Sequence, residues 1–420
     1  MIKFPDIKIK IRSFHAPRFK FGLIKKIKVK NLAFILSSIV LIIFILFLIQ
    51  KSKEFKSQAQ NLENQKRELE FKFETSQKSL TELQNNDQYL RNKTLEEEIK
   101  NTQVTYKKAV SVYENLLDLK DRSKDTSKFD EAFASSLLLL SQRNYASAEA
   151  KLASLSKDIK SEMDKIAATF KIPENIPIES SAPASGYRRQ KVQIDSGTFM
   201  VDIISADIGS TKVIVDTASD SDCGNNCLVL SLSDYVSRNS AYAGVNGTYF
   251  CPSTYPTCAG KTNSFDLLVM NKNKTYFNSS NNVYSNNPAV IFGDNYIRFV
   301  SAASQWGRDT SPNGVLSNYP LLVLNSNISF NGDEDPKHIN KGGRSFVANK
   351  GNSVFIGVVH NATVADSAKV MKALGMENAM NLDDGGSTAL WFGGPASPSQ
   401  GGYKAGPGRN IPNAILLVKK

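Results

Sequence analysis

Histidine is scarce in this chain, with only His15, His338 and His360 in 420 residues. None stands in a His/Asp/Ser order or beside a cysteine, so a serine- or cysteine-hydrolase reading is poor. Beyond the first thirty residues there is no basic patch interleaved with aromatics, which argues against nucleic acid as a partner. The acidic stretch Asn331-Gly-Asp-Glu-Asp335 is too short for a calcium loop of the EF type. No metal set or cofactor motif is read, and no internal repeat is found. Long hydrophobic runs are absent, with one exception.

That exception is Leu32–Ile49, eighteen residues interrupted only by Ser37 and Ser38. At helical rise it nearly matches a hydrocarbon core of ~30 Å. Residues 1–30 hold ten Lys or Arg and a single acid, Asp6, and so carry nine of the twelve net positive charges. The basic flank keeps the N-terminus in the cytoplasm and sends the rest across. Phe47-Leu-Ile-Gln-Lys51 offers no small-residue cleavage site, so the run reads as an uncleaved signal anchor. The expected order is a cytoplasmic tail (1–31), a transmembrane anchor (32–49) and an extracytoplasmic remainder at the cell membrane. The positive charge then serves anionic lipid.

Cysteine agrees with this topology. All four residues fall in the exported part, as the close pairs Cys223/Cys227 and Cys251/Cys258. An oxidising compartment favours two local disulfides, though sequence cannot prove the pairing. One zinc ion held by four thiolates is the rival, but the spacings are not those of zinc knuckles.

Residues 52–170 read as a helical stalk. Phe55, Leu62, Leu69, Leu83 and Leu90 fall on heptad position d, and Ala59, Phe73 and Leu80 on a. Lys66, Ser76, Asp87 and Thr94 break the seam. Either a homodimeric coiled coil or one solvated amphipathic helix fits this pattern. A second helix is expected over Phe129–Phe170, with Phe133, Leu137, Leu140, Ala146 and Leu152 on its apolar face. Lys120–Ser127 between them reads as a hinge, which permits a helical hairpin. Residues 171–190, with prolines, serines and no periodicity, read as a linker.

From 191 to 420 the composition shifts to Gly, Asn, Ser and Thr, with short alternating runs at Val192–Ile194, Phe199–Ile204, Lys212–Thr217, Asn295–Val300 and Ser353–Val359. One amphipathic helix is expected over Thr363–Leu374, with Asp366 near its start and Gly375 as its stop. The fold class is therefore α+β: a membrane helix, a coiled-coil or hairpin stalk, then one mixed domain.

The stretch richest in chemistry is Asn381-Leu-Asp-Asp-Gly-Gly-Ser-Thr-Ala-Leu-Trp-Phe392. It sets Asp383 and Asp384 on a glycine-rich turn between a helix and an apolar strand. Gly385 and Gly386 can take positive φ and let a ligand approach the main chain. With Ser387 and Thr388 they could also supply donors to an anion.

Several blocks, in order, make residues 191–420 resemble the phosphodiester glycosidase family, which includes bacterial proteins labelled for exopolysaccharide biosynthesis. Gly244-Val-Asn-Gly-Thr-Tyr-Phe250 is similar to its Asn-Gly-Gly-Phe-Phe signature, and Gly343-Arg-Ser-Phe-Val347 to its Arg-Thr-Ala-Ile-Gly block. Leu382-Asp-Asp-Gly-Gly-Ser387 resembles its Leu-Asp-Gly-Gly-Gly-Ser turn, and Arg409-Asn-Ile-Pro-Asn-Ala414 its closing strand. Two positions depart: Asp384 stands where the family has its first glycine, and Thr248 replaces a glycine of the signature. Asp384 could project into the pocket, bind a cation, narrow the site or require positive φ.

The resemblance implies cleavage at the anomeric carbon of a sugar-1-phosphodiester, through oxocarbenium character, with a phosphate leaving. Neutralising that leaving group matters more than protonating it. Arg344 and Arg409, at family arginine positions, are expected as phosphate clamps. Asp383 is expected to face the sugar as base or oxocarbenium stabiliser, with Asp384 second. Adjacent carboxylates point apart and do not make an acid/base pair. Asn246 and Gly247 are expected to contact substrate, and His360 matches a histidine of the family's lysosomal member. The functions in view are an anchored extracytoplasmic hydrolase of phosphodiester-linked envelope glycans and a non-catalytic glycan-binding or scaffold module.

Overall fold

The computed structural model describes residues 29–279, 285–307, 309–394, 396 and 400–420. The basic tail with His15 lies outside the described residues. The chain divides into two compact units, Met1–Glu96 and Glu97–Lys420.

In the first unit, helix α1 (Val29–Gln84) carries the apolar run at its start. It is long and apolar enough to cross a membrane. Its apolar side chains from Phe34 to Ile49 are all exposed. Beyond them the heptad positions Phe55, Leu62, Leu69, Phe73, Leu80 and Leu83 are exposed as well. Local support comes from ion pairs at helical spacing, such as Arg67–Glu63 at 2.9 Å and Lys72–Glu68 at 2.7 Å.

Helix α2 (Asp87–Lys120) runs into the second unit, where it packs with α3 (Ser127–Ser141) and α4 (Tyr145–Thr169). Leu116, Leu119, Phe129, Leu140, Leu152 and Ile159 form their common core. The single helix expected over Phe129–Phe170 is thus two. Arg143 adopts φ +58, and the Asn144 side chain accepts from the Ser147 amide at 3.3 Å to start α4 afresh. That break resets the helical phase, which is why Ala146 faces solvent; Leu137, before the break, lies beside the buried stripe of Phe129, Ser136 and Leu140 and is exposed too, contrary to expectation.

Among the described residues three antiparallel sheets follow. The first has seven strands in the order β1 (Gly186–Ile194), β2 (Gly197–Asp207), β13 (Ser353–Ala362), β12 (Gly342–Lys350), β14 (Asn378–Asn381), β10 (Leu321–Leu324) and β11 (Asn327–Ile328). The second has five: β16 (Gly402–Ala405), β15 (Leu390–Phe392), β4 (Ala243–Asn246), β17 (Asn413–Lys419) and β3 (Thr211–Thr217). The third orders β6 (Tyr276–Phe277), β5 (Val269–Met270), β9 (Gly314–Ser317), β7 (Ala289–Phe292) and β8 (Ile297–Val300). Every run read as a strand contributes one. β1 starts at Gly186, inside the segment read as linker, because Tyr187 and Arg189 alternate onto the buried Asp202.

The three sheets share one core, with Ile204 and Val347 from the first, Val245 and Ile415 from the second, and Val290 and Leu316 from the third. The other face of the first sheet buries Val201, Phe346 and Phe355 with Ala368 and Met371. The last two belong to α7 (Val364–Ala373), after the short α5 (Leu232–Arg238) and α6 (Pro336–Ile339). α7 begins with a capping box in which Thr363 and Asp366 satisfy each other's backbone amides, and Gly375 follows its end at φ +74. The mixed α+β class is as expected.

Candidate active site

β14 ends the glycine-rich segment's approach in the first sheet, and β15 resumes it in the second. The crossing, Leu382 to Ala389, carries both aspartates. A strand, not the expected helix, feeds the turn directly. Its path is fixed by backbone bonds from Leu382 N–H to the Ser345 carbonyl and from Asp383 N–H to the Gly247 carbonyl, both 2.9 Å. Gly247 is small of necessity: a Cβ there would lie 1.7 Å from Asn413 Oδ1.

Asn246, expected to contact substrate, is instead fully buried beneath the turn. Its Nδ2 donates to the Asp383 carbonyl at 2.6 Å, while its Oδ1 accepts from Ser345 Oγ (2.7 Å) and Ala389 N–H (3.0 Å). It positions the Asp383 turn from behind. Gly247 likewise acts through its backbone.

Asp383, Asp384, Gly385, Gly386, Ser387, Arg344 and Arg409 do come together, around one cavity of about 110 Å³. Gly385 takes φ +60, as its position suggests, but Gly386 does not. Asp384 sits at φ −133, so the extra side chain needs no left-handed backbone. It meets Arg344 in a short ion pair. Arg344 is almost wholly buried, with Nε bonded to the Ala362 carbonyl at 2.9 Å and Nη2 to the Asn340 carbonyl. One arm of its fork thus holds Asp384, and the other two nitrogens are spent on backbone carbonyls. Arg409 is more open, at 23% side-chain exposure, and pairs with Asp121 at 2.9 Å. Its guanidinium also lies 5.7 Å from the Tyr255 ring centre.

Two other expected residues lie elsewhere. Thr388 donates to the Gly343 carbonyl at 3.1 Å and lines an adjoining groove of about 750 Å³ with Ser253, Thr254 and Asn410. His360 lines a third hollow of about 290 Å³. There its Nε2 meets Asp202 at 2.7 Å and its ring stacks on Phe170. It is tied to a buried carboxylate also held by Arg189 and Tyr187, not to the cavity of Asp383.

Burial pushes the Asp383 carboxyl up to about 7, and the neighbouring Asp384 charge adds to the rise. The Ser387 hydroxyl, Arg409 and the Asp384 amide oppose it. A carboxyl titrating near neutrality, next to an arginine, suits proton transfer or the stabilisation of a developing cation.

Sequence reasoning missed half of this cavity. His338, given no role from sequence, lies on α6, buried in the wall, with Nδ1 2.7 Å from Asp333. Tyr249 stands inside the Gly244–Phe250 block, whose aromatic content was the available signal. Tyr255 sits in the loop closed by the Cys251–Cys258 disulfide. The other expected disulfide, Cys223–Cys227, is present too, so no thiol remains for zinc.

The least expected contributors come from the end of α2 and the turn after it. Tyr255 donates its hydroxyl to Asp118, and Thr257 N–H donates to Glu114 at 3.1 Å. Arg122 donates to the Lys341 carbonyl at 2.6 Å. Asp118 and Arg122 both line the cavity. Burial raises the Asp118 carboxyl, against the pull of Tyr255 and Arg409. Lys120–Ser127 had only a hinge's composition, and nothing local to it signals this docking.

Residues 239–418 match the family model for phosphodiester glycosidase. No curated protein matches the chain. Among solved structures, the zebrafish N-acetylglucosamine-1-phosphodiester alpha-N-acetylglucosaminidase catalytic domain, auto-inhibited by its propeptide, is similar at 16% identity and TM-score 0.42. That match covers 58% of this chain and 87% of the other. A hypothetical protein from Synechocystis matches at 14% identity and TM-score 0.38, over 56% of this chain and 62% of its own length. An exported protein from Burkholderia pseudomallei matches at 11% and 0.34, over 53% and 74%. It is over residues 239–418, then, that the chain is similar to the phosphodiester glycosidase family.

Proposed function

We propose that this protein is a membrane-anchored extracytoplasmic hydrolase that cleaves sugar-1-phosphodiester bonds in envelope or exopolysaccharide glycans. The observation that carries the reading is that buried Asp383 lines one cavity with Asp384, Arg344 and Arg409; burial there pushes its carboxyl up to about 7. Water attacks the anomeric carbon as the bond from C1 to the bridging oxygen breaks. The sugar gains the water oxygen, and the phosphate departs with the bridging oxygen as a monoester. Asp383, ionised, takes the water proton or steadies the cation forming at C1. Arg409 faces the phosphate, and Arg344 holds Asp384 in the wall. A charged, fixed donor at the leaving phosphate lowers the barrier because its dipoles need no reorganisation.

The apolar start of α1 supports the anchor, and the two disulfides support an exported domain. The exposed Phe55, Leu62, Leu69 and Leu83 row supports a homodimer through a coiled coil. A monomer by light scattering in detergent would remove that part. The organisation is then tail, anchor, helical stalk, linker and glycosidase domain.

A non-catalytic glycan-binding or scaffold module is favoured by one observation: Asp384, standing where the resembled family has a glycine, fills the cavity wall in an ion pair with Arg344. Full-length protein in detergent, incubated with a panel of sugar-1-phosphodiesters, separates the two. Sugar release lost in Arg409→Ala supports the hydrolase. Saturable binding without release supports the module.

A further inference from the structure

Arg409, the cation best placed for a phosphodiester, is met by Asp121 at 2.9 Å from the turn after α2, 288 residues earlier in the chain. The pair lies directly against Gly386. An added Cβ on Gly386 would lie 2.2 Å from Arg409 Nη2 and 2.8 Å from Asp121 Oδ2. Gly386 does not have positive φ, so backbone conformation does not demand glycine there. The Asp121–Arg409 ion pair passes close over the turn at this residue. Asp121 is itself 53% exposed and free to be approached by an anion in the groove.

We propose that Asp121 is a specificity-determining residue that tunes Arg409 for a monoanionic phosphodiester and against a dianionic phosphomonoester. The inference rests on the hydrolase reading for the identity of the anion. A diester carries one negative charge, whereas a monoester, with a second pKa near 6, carries close to two at neutral pH. Coulomb repulsion from Asp121 scales with ligand charge, so it opposes the monoester about twice as strongly in free energy. The monoester is also the product of the proposed cleavage. The turn after α2 thus contributes a charge that favours release of product, beside Asp118 and Arg122, which line the cavity.

The test titrates full-length protein with methyl phosphate and dimethyl phosphate at pH 7.5, comparing wild type, Asp121→Asn and Asp121→Glu. Asp121→Asn tightens dimethyl phosphate by roughly threefold and methyl phosphate by roughly tenfold, the square that doubled charge implies. Asp121→Glu, which keeps the charge, restores the wild-type ratio. Equal changes for the two anions overturn the proposal, as does the absence of binding by all three proteins. Binding is read without turnover, so failure to hydrolyse any diester would sink the enzymatic reading while leaving this ratio to be judged by itself.

Discussion

The Asn246 side-chain amide donates to the Asp383 main-chain carbonyl at 2.6 Å, from a position with no exposure to solvent. One residue of β4 in the second sheet thereby fixes the height of the carboxylate that leaves β14 in the first. Asn246→Ala strands three groups at once: the Asp383 carbonyl, the Ser345 hydroxyl and the Ala389 amide. The expected loss is ~2–4 kcal/mol of stability, because buried polar groups left unpaired bear their full desolvation cost. Chemical denaturation measures it. A change under about 0.5 kcal/mol would show that the site does not depend on this link.

Gly247 and Gly385 should respond differently to alanine. At Gly247 the new methyl collides with Asn413 Oδ1 at 1.7 Å, and the neighbouring backbone has nowhere to go. At Gly385 there is open space and only a φ of +60 to strain. Gly385→Ala is expected to cost about 1 kcal/mol, and Gly247→Ala about 3 kcal/mol or more. Thermal denaturation of both variants checks the order, and the reverse order would contradict the packing described at Asn413.

These positions show how the site was legible and where it was not. Asp383, Gly385 and Gly386 were legible in a local glycine-rich turn and Arg344 and Arg409 only through the family resemblance, and the structure brings them to one cavity. α7 was readable because capping, periodicity and stop all agree over ten residues. The helical break at Gln142–Asn144 was not, since its signal is one backbone angle at Arg143. Asn246 was assigned to substrate because a motif gives the residue and not the direction it faces. His360 and His338 exchanged importance for the same reason: the sheet sends one to Asp202, and α6 sends the other into the cavity wall. The contribution of Asp118, Asp121 and Arg122 is tertiary and has no local pattern at all.

Asp383 makes stability depend on pH. Its folded value, about 7, stands above an unfolded value near 3.9, so the native state binds the extra proton between them. The stability this gives is fully present below about pH 4 and is lost as pH rises through 7. Asp383→Asn, neutral throughout, should therefore gain on the wild type across that window and be more stable by about 1–3 kcal/mol at pH 8. Denaturant midpoints at pH 5 and pH 8 measure the gain. A difference that does not grow with pH would mean Asp383 is not held neutral by its surroundings.

Asp384 raises Asp383 through charge, so its removal should move the catalytic pH limb. If ionised Asp383 acts in turnover, wild-type kcat rises with pH through a midpoint near 7. Asp384→Asn removes the like charge and frees Arg344, and both changes pull Asp383 down. The midpoint is expected to fall by roughly one unit. A pH–rate profile that keeps its midpoint in the variant would disconnect the two carboxylates.

The central claim is that water attacks carbon and not phosphorus. Turnover of a sugar-1-phosphodiester by the full-length protein in heavy-oxygen water, followed by mass spectrometry of both products, tests it directly. The account predicts the label on the released sugar, none on the phosphomonoester, and a loss of at least about a hundredfold in Asp383→Asn. Label on the phosphate would make the protein a phosphodiesterase of another kind and contradict the account.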